Sequence, residues 1–123
     1  MKKTLKIAAA LLIASVIFAA GYAFHAFSFW YKSPVSVSIE NQSGQSLQNL
    51  KLTFRSQISG NLDIPPPQNG KDILVKFFPW GEGSFTLEAT LESGKVVQYS
   101  AGYIEAGYFV HTVITNNEFK NRP

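Results

Sequence analysis

The sequence predicts an all-β protein, namely a small antiparallel sandwich of six or seven strands of the immunoglobulin or fibronectin III type, preceded by one N-terminal transmembrane helix. Residues 7–31 contain no Asp, Glu, Lys or Arg. Short segments with an apolar residue at every second position follow, separated by turn residues at close spacing. No helical periodicity occurs after the apolar stretch. A small barrel is the alternative architecture.

Residues 7–31 are long enough to cross a membrane. At about 1.5 Å per residue, a helix over this stretch spans roughly 37 Å, whereas the hydrocarbon core of a bilayer is about 30 Å thick. Lys2, Lys3 and Lys6 precede the stretch. Positive charge on this flank predicts that residues 1–6 lie in the cytoplasm and that the remainder of the chain is outside.

The basic start followed by an apolar run is typical of a bacterial export signal, which is either cleaved or retained. A cut after Ala20 or Ala26 places a phenylalanine at the third-last position, where a small residue is required. Cuts after Ala23 or Ser28 leave an unusually long segment. We therefore expect an uncleaved signal anchor in a bacterial inner membrane, and an exported soluble protein after cleavage is the alternative.

Five residues of the apolar stretch are candidates for specific roles in the anchor. Trp30 and Tyr31 close the stretch, as aromatic residues do at the headgroup level of a membrane. Ser15, Ala19 and Ala23 recur at four-residue spacing, which permits close approach of a second helix and predicts weak self-association. Alanine is also common in signal-like segments, so the same spacing of small residues can occur without any contact between helices.

The first half of the folded part predicts two clear strands. Apolar and polar residues alternate over residues 35–40 and over residues 50–55, as in strands that bury one face. A possible short strand near 58–64 is followed by three prolines at 65–67, which favour extended polyproline geometry.

The second half of the folded part predicts four more strands. Residues 72–78 are apolar on both faces, which predicts a central strand. Residues 85–92 alternate most clearly, and a Ser-Gly turn connects them to a further strand at 96–101. A last strand covers 108–114. The predicted organisation is a cytoplasmic flank at 1–6, an anchor at 7–31, a periplasmic sandwich at 32–116 and a polar tail at 117–123.

The segments 35–52 and 102–110, with the proline- and glycine-rich loop between them, carry a family resemblance. The chain resembles small membrane-anchored or exported envelope proteins of Gram-negative bacteria that have an immunoglobulin-like or fibronectin III-like sandwich. This resemblance covers roughly residues 33–115 and implies a location in the bacterial envelope. No activity is established for that family, so it implies no catalytic residue here.

Charge and composition exclude several function classes. The net charge of +3 belongs to the N-terminal flank, because the other eight basic residues are balanced by eight acidic ones. A nucleic-acid-binding domain needs a basic face, so we expect no nucleic acid as partner. The absence of cysteine excludes disulfides, thiolate catalysis and cysteine-bound metals.

The sequence contains no catalytic motif. No nucleophile elbow, zinc-binding helix or phosphate loop occurs, and the two histidines are far apart in the chain. His111 alternates with the apolar residues of the last predicted strand, which predicts that it is exposed or at a sheet edge. We therefore expect neither an enzyme nor a bound cofactor or metal.

Binding is the expected function, through exposed loop residues. Aromatic side chains on loops are typical interface anchors, and a proline-rich loop loses little entropy on binding. The candidate contact residues, taken from three loops, are Phe78, Trp80, Tyr103, Ile104 and Pro66. The alternative is that the tyrosine segment is a packing corner.

The leading hypothesis is a membrane-anchored periplasmic module that binds an envelope or exported protein, as an accessory subunit or as an immunity or inhibitor protein. The alternative is a periplasmic domain that binds glycan or peptidoglycan by stacking sugar rings on Trp80. An enzyme that depends on His111 is the third possibility.

Overall fold

The computed structural model describes residues 2–30 and 33–122, which form two separate units. The first is one helix, and the second is built from eight strands in two sheets. The elements, in chain order, are α1 (Lys2–Trp30), β1 (Val35–Asn41), β2 (Leu47–Arg55), β3 (Ser59–Asp63), β4 (Asp72–Phe77), β5 (Gly83–Leu91), β6 (Val96–Ile104), β7 (Phe109–Ile114) and β8 (Phe119–Asn121).

The helix α1 contains an apolar stretch, Lys3–Ser28, that is long and apolar enough to cross a membrane by length and composition. No described side chain in that stretch is buried. The hydroxyl of Ser15 donates a hydrogen bond to the carbonyl oxygen of Leu11, at 2.9 Å, so it is satisfied within the helix. The helix is therefore apolar around its whole circumference, unlike a helix on the surface of a soluble domain.

The first sheet has the strand order β4-β1-β7-β8. Strands β1 and β7 run parallel, with Val37 beside Val110, whereas β4 and β8 pair antiparallel with their neighbours. The second sheet has the order β3-β2-β5-β6 and is antiparallel throughout. Its register shifts between Gly83 and Phe85, where β6 contributes an extra residue opposite β5.

One hydrophobic core receives side chains from both sheets. Strand β1 alternates strictly between buried and partly exposed residues, and β5 does so from Phe85 to Leu91. This is the period-two pattern expected from the sequence. Five rings cross the core in a continuous row, with neighbouring ring centroids 5.1–6.2 Å apart: Phe54, Phe77, Phe85, Tyr99 and Phe119. Phe77 and Phe119 belong to the first sheet and the other three to the second, so the row joins the two sheets.

Two elements differ from the sequence-based expectation. The predicted polar tail contains β8, and its Phe119 is buried against Tyr99. A single apolar residue among polar ones produces no periodicity, so the eighth strand was missed. Strand β4, expected at the centre of a sheet, lies at an edge and pairs only with β1 among the described residues.

Candidate functional site

The folded domain has two ends of opposite chemistry. At the first, which we call the aromatic end, β1 and β7 begin and β4 finishes, because Val35 pairs with Phe77 and Ser36 with Phe109. The segments that meet there are residues 33–34, 56–58, 78–82 and 105–108. At the second, the amide end, the connecting segments are residues 42–46, 64–71, 92–95 and 115–118.

A short loop at the aromatic end carries two exposed rings. The backbone N–H of Trp80 donates to the hydroxyl of Ser56 at 3.2 Å, and its carbonyl oxygen accepts from the N–H of Gln57 at 3.3 Å. Gly81 follows with φ +82°, a left-handed conformation that lets the loop turn back toward β5. The loop backbone is thus tied to the preceding turn, while Phe78 and Trp80 remain 69% and 53% exposed.

Three further rings lie in β6, in β7 and in the segment between them, at the same end of the domain. The side chains of Tyr103, Tyr108 and Phe109 are exposed. The hydroxyl of Tyr103 donates to the carboxylate of Glu105 at 3.2 Å. Partial desolvation raises the pKa of Tyr103 above its usual 10, and the negative charges of Glu105 and Glu82 raise it further.

The aromatic end holds nearly all of the exposed apolar surface of the domain. Among the large apolar residues that are exposed in residues 33–122, only Leu74 and Val96 lie elsewhere. The others are Ile58, Phe78, Trp80, Tyr103, Tyr108 and Phe109. Exposed apolar patches often lie at contact surfaces of proteins, so these residues form the candidate contact surface.

The structure brings together three of the five predicted contact residues. Phe78, Trp80 and Tyr103 are exposed at the aromatic end. Ile104 is fully buried and pairs with Gly83, so it is a core residue and cannot be a contact residue. The extra residue in β6 turns Ile104 inward, which simple alternation from the preceding strand does not reveal. Pro66 is exposed but lies at the amide end, about 20 Å away along β1.

The amide end is cross-linked by side-chain amides. The N–H of Gly44 donates to Asn69 Oδ1 at 3.0 Å, and Gln45 Nε2 donates to Asn116 Oδ1 at 3.1 Å. The N–H of Ser93 donates to Gln45 Oε1 at 3.0 Å. These bonds connect all four turns of this end, where Val96, the residue after 92–95, is the one exposed large apolar side chain among the described residues.

Asn41 is the fully buried residue beneath this network. Its Nδ2 donates to the carbonyl oxygens of Gln45 and Pro67, and its Oδ1 accepts from the N–H and the hydroxyl of Ser43. All four hydrogen bonds that the amide can make are therefore satisfied. Asn41 begins an Asn-Gln-Ser glycosylation pattern, but its burial leaves no access for a glycan in the folded domain.

Strand β4 forms an open edge of the first sheet. Its six residues pair in regular register with β1, with Ile73 and Val75 partly buried and Leu74 exposed. The other edges carry the features that usually protect edge strands: β8 has three residues, β3 contains Gly60 and polar residues, and β6 contains the irregular register. Asp72 and Lys76 are the charges on β4.

A shallow groove lies on the outer face of the second sheet. It has a volume of about 540 Å³, and its lining includes Thr53, Arg55, Ser84, Thr86 and Ser100. The hydroxyls of Thr86 and Ser100 are 3.2 Å apart. No exposed aromatic side chain lines this groove, so Trp80 is not part of it.

His111 lies on the outer face of the first sheet and is partly buried. Its Nε2 is 3.6 Å from a carboxylate oxygen of Glu40, which is also 3.3 Å from Arg122 Nη1. The described residues contain no group of three or more His, Cys, Asp or Glu side chains that could hold a metal ion.

The predicted anchor residues lie in or near α1. Ser15, Ala19 and Ala23 are exposed at helical spacing, and self-association through them stays a prediction. Trp30 is the last residue of α1, described by its backbone alone, and Tyr31 lies outside the described residues.

Comparison with known proteins bears on the fold alone. No family model matches the sequence, and no curated protein sequence matches it. The fold is similar to the NMR structure of a protein from Eubacterium rectale, with a TM-score of 0.56 and 14% sequence identity. The similarity covers 73% of this chain and 89% of that one.

Proposed function

We propose that this chain is a single-pass protein of a bacterial inner membrane that presents a protein-binding domain outside the cytoplasm. The length and composition of α1 support the anchor, and the basic residues before it support the orientation. The two sheets and their shared core support a β-sandwich.

The proposed sandwich has a different strand order from a constant-type immunoglobulin domain. In that domain the first two strands lie in one sheet, with the fourth and fifth. Here β1 and β2 lie in different sheets, and β1 runs parallel to β7. The relation to the immunoglobulin fold is therefore one of architecture, namely two packed sheets around one core.

The open edge of β4 is the observation that carries the proposed function. An extended segment of another protein adds to such an edge by main-chain hydrogen bonds, and side-chain pockets supply the specificity. The exposed Leu74 supplies an apolar contact on the outer face.

The hydrogen-bond pattern identifies the groups that a partner strand would use. The N–H of Ser36 donates to Tyr108 on the β7 side of β1, at 2.8 Å. Successive N–H groups of a strand alternate in direction, so those of Val37 and Ile39 face β4. The backbone N–H and C=O groups of their partners Val75 and Ile73 point back toward β1. Those of Asp72, Leu74 and Lys76 therefore point to the open edge.

Photo-cross-linking tests this site in the full-length protein in its native membrane. A photoreactive residue at Lys76 is expected to yield one dominant protein adduct, identified by mass spectrometry. Adding Leu74→Pro is expected to abolish that adduct, because proline removes the outward N–H while its ring remains compatible with an edge strand.

Two variants make the test specific. Leu74→Thr keeps the outward N–H and should retain the adduct, at reduced yield if the apolar side chain contributes. A photoreactive residue at Gln98, on the outer face of β6, should yield no such adduct. The absence of any protein adduct at Lys76, or equal adducts at Lys76 and Gln98, contradicts strand addition at β4.

The polar groove favours a second candidate, which is glycan or peptidoglycan binding. Its hydroxyls and Arg55 are groups that hydrogen-bond sugar hydroxyls and carboxylates. Sedimentation of the full-length protein with purified peptidoglycan tests it. Binding that is lost in Thr86→Val but retained in Leu74→Pro would favour the glycan over the protein partner.

A cleaved signal is the alternative to the anchor. The intact mass of the protein purified from membranes distinguishes the two cases, because the anchor predicts a protein that retains residues 7–31. A mature protein that begins after Ala23 or Ser28 would contradict the anchor and leave an exported soluble domain.

A further inference from the structure

We propose that the aromatic end of the domain rests in the headgroup region of the membrane, with Trp80 and Phe78 inserted among the lipids. This inference rests on the proposed membrane anchor and goes beyond it, since it assigns a lipid-binding surface to the folded domain.

The length of the chain supports this location. Only residues 31 and 32 separate Trp30, the last residue of α1, from Ser33, the first described residue of the domain. Three Cα–Cα steps of 3.8 Å span at most about 11 Å. This limit follows from chain length alone and holds for every orientation of the domain.

Ser33 is fixed to the aromatic end. Its carbonyl oxygen accepts the N–H of Gly107 at 2.9 Å, and Ser36, three residues later, donates to Tyr108. A helix that crosses the membrane ends near the headgroups, so the end of the domain that contains Ser33 lies within about 11 Å of them. Within the domain, the amide end is separated from Ser33 by the length of the strands, roughly 20 Å.

The side chains at the two ends match these two environments. Tyrosine and tryptophan have an apolar ring and a polar group, and they concentrate at the membrane–water boundary. The aromatic end exposes Trp80, Tyr103 and Tyr108 together with Phe78 and Phe109. The amide end exposes glutamine, asparagine and serine side chains, which suit bulk water.

The charges at the aromatic end make the proposed contact independent of anionic lipid. Arg55 and Lys76 are balanced by Glu82 and Glu105, and Lys32, which precedes Ser33 in the sequence, adds a single positive charge. No basic cluster of the kind that binds anionic lipids is present among the described residues of this end. Burial of the rings therefore drives the contact, and it should form equally on a neutral bilayer.

Tryptophan fluorescence tests the proposal in the full-length protein. The chain has two tryptophans, so Trp30→Phe leaves Trp80 as the only reporter. The protein is reconstituted in vesicles of phosphatidylcholine, with or without lipid brominated near the headgroup end of its acyl chains. We expect the brominated lipid to quench most of the Trp80 emission, and the bilayer to shield it from acrylamide in the water.

A matched reporter at the other end provides the control. Val96 is exposed and begins β6, next to the amide end. The variant Trp30→Phe, Trp80→Phe, Val96→Trp should show no quenching by brominated lipid and full quenching by acrylamide. Unchanged results after adding phosphatidylglycerol would support a contact made by the rings rather than by charge.

The outcomes separate this inference from the anchor. If the protein stays in the membrane after alkaline extraction but Trp80 is quenched only by acrylamide, the lipid contact is overturned and the anchor stands. If alkaline extraction releases the protein, the anchor fails and the lipid contact with it. Shielding of Trp80 in native membranes but not in pure lipid vesicles would assign the aromatic end to a protein partner and overturn the proposal.

Discussion

The segments at the two ends of the domain are held together in different ways. Each end must connect strands of both sheets, and the amide end does so with four segments and the aromatic end with three, since residues 33–34 only lead into β1. The amide end connects them by side-chain hydrogen bonds around the buried Asn41, and it exposes polar groups. The aromatic end ties the backbone of one loop to Ser56 and leaves its rings exposed. The polar groups of the amide end are largely engaged with one another, so we expect contact with a partner or a membrane at the aromatic end.

The largest effect is expected where the aromatic end meets the core. Phe77 is buried in the row of rings, whereas the adjacent Phe78 is exposed. Phe77→Ala should lower the free energy of unfolding by about 3–5 kcal/mol, because it removes a packed ring and leaves a cavity. Phe78→Ala should change it by no more than about 0.5 kcal/mol. Urea unfolding of the full chain in detergent, followed by near-UV circular dichroism, measures both free-energy changes. Equal losses of stability in the two variants would contradict the assignment of Phe77 to the core and Phe78 to the surface.

The next effect tests the amide end. Asn41→Ala removes four hydrogen bonds and leaves buried partners unsatisfied, so we expect a loss of about 2–3 kcal/mol in the free energy of unfolding. Asn49→Ala, at an exposed position in β2, is the control and should be nearly neutral. A neutral Asn41→Ala in the same urea experiment would show that the network does not hold this end together.

A smaller effect on stability is expected at the start of β5, directly after the loop at 78–82. A Cβ atom at Gly83 would clash with the carbonyl oxygen of Arg55, whereas a Cβ at Gly102 would meet open space. Gly83→Ala should therefore cost about 1–3 kcal/mol of stability, and Gly102→Ala should be neutral or slightly stabilising. Equal thermal midpoints for the two variants would contradict the tight approach of β5 to the end of β2.

The smallest expected effect is a change in the pKa of Tyr103 at the aromatic end. Desolvation raises the pKa of Tyr103 above its usual 10, and the hydrogen bond to Glu105 and the negative charges of Glu105 and Glu82 raise it further. Glu105→Gln removes one of these charges and should lower the pKa of Tyr103 toward 10. The ultraviolet absorbance of tyrosinate as the pH rises, read as the difference between parent and variant, measures this shift, and an unchanged titration would place Glu105 too far away to act.

Much of the domain was predictable from local patterns, and the part that was not depends on tertiary geometry. Alternation predicted the buried faces of β1, β2 and β5, and the Ser-Gly turn predicted the hairpin of β5 and β6. The position of a strand within a sheet depends on which neighbours it finds, and β4 lies at an edge with Asp72, Leu74 and Lys76 on its outer face. The prediction of a central strand counted Leu74 and Phe78 as a second apolar face.

Only part of the candidate site was predictable from the sequence, because the rest depends on tertiary geometry. Exposed rings on turn segments identified Phe78, Trp80 and Tyr103. The inward turn of Ile104 follows from the irregular register of β6, and the location of Pro66 at the opposite end follows from the topology. Tyr108 and Phe109 were predicted as residues of the last strand, and their exposure at the aromatic end became visible only in the fold.

Cysteine accessibility is the most direct test of the central claim, which is an anchored domain with its aromatic end on the membrane and its amide end in water. The chain has no cysteine, so Thr4→Cys, Ile58→Cys and Ser93→Cys each introduce a single thiol. In intact spheroplasts, a membrane-impermeant maleimide should label the Ser93 variant rapidly and the Ile58 variant slowly. The Thr4 variant should be labelled only after lysis. Equal labelling of the Ile58 and Ser93 variants, or a mature protein that lacks residue 4, would contradict the account.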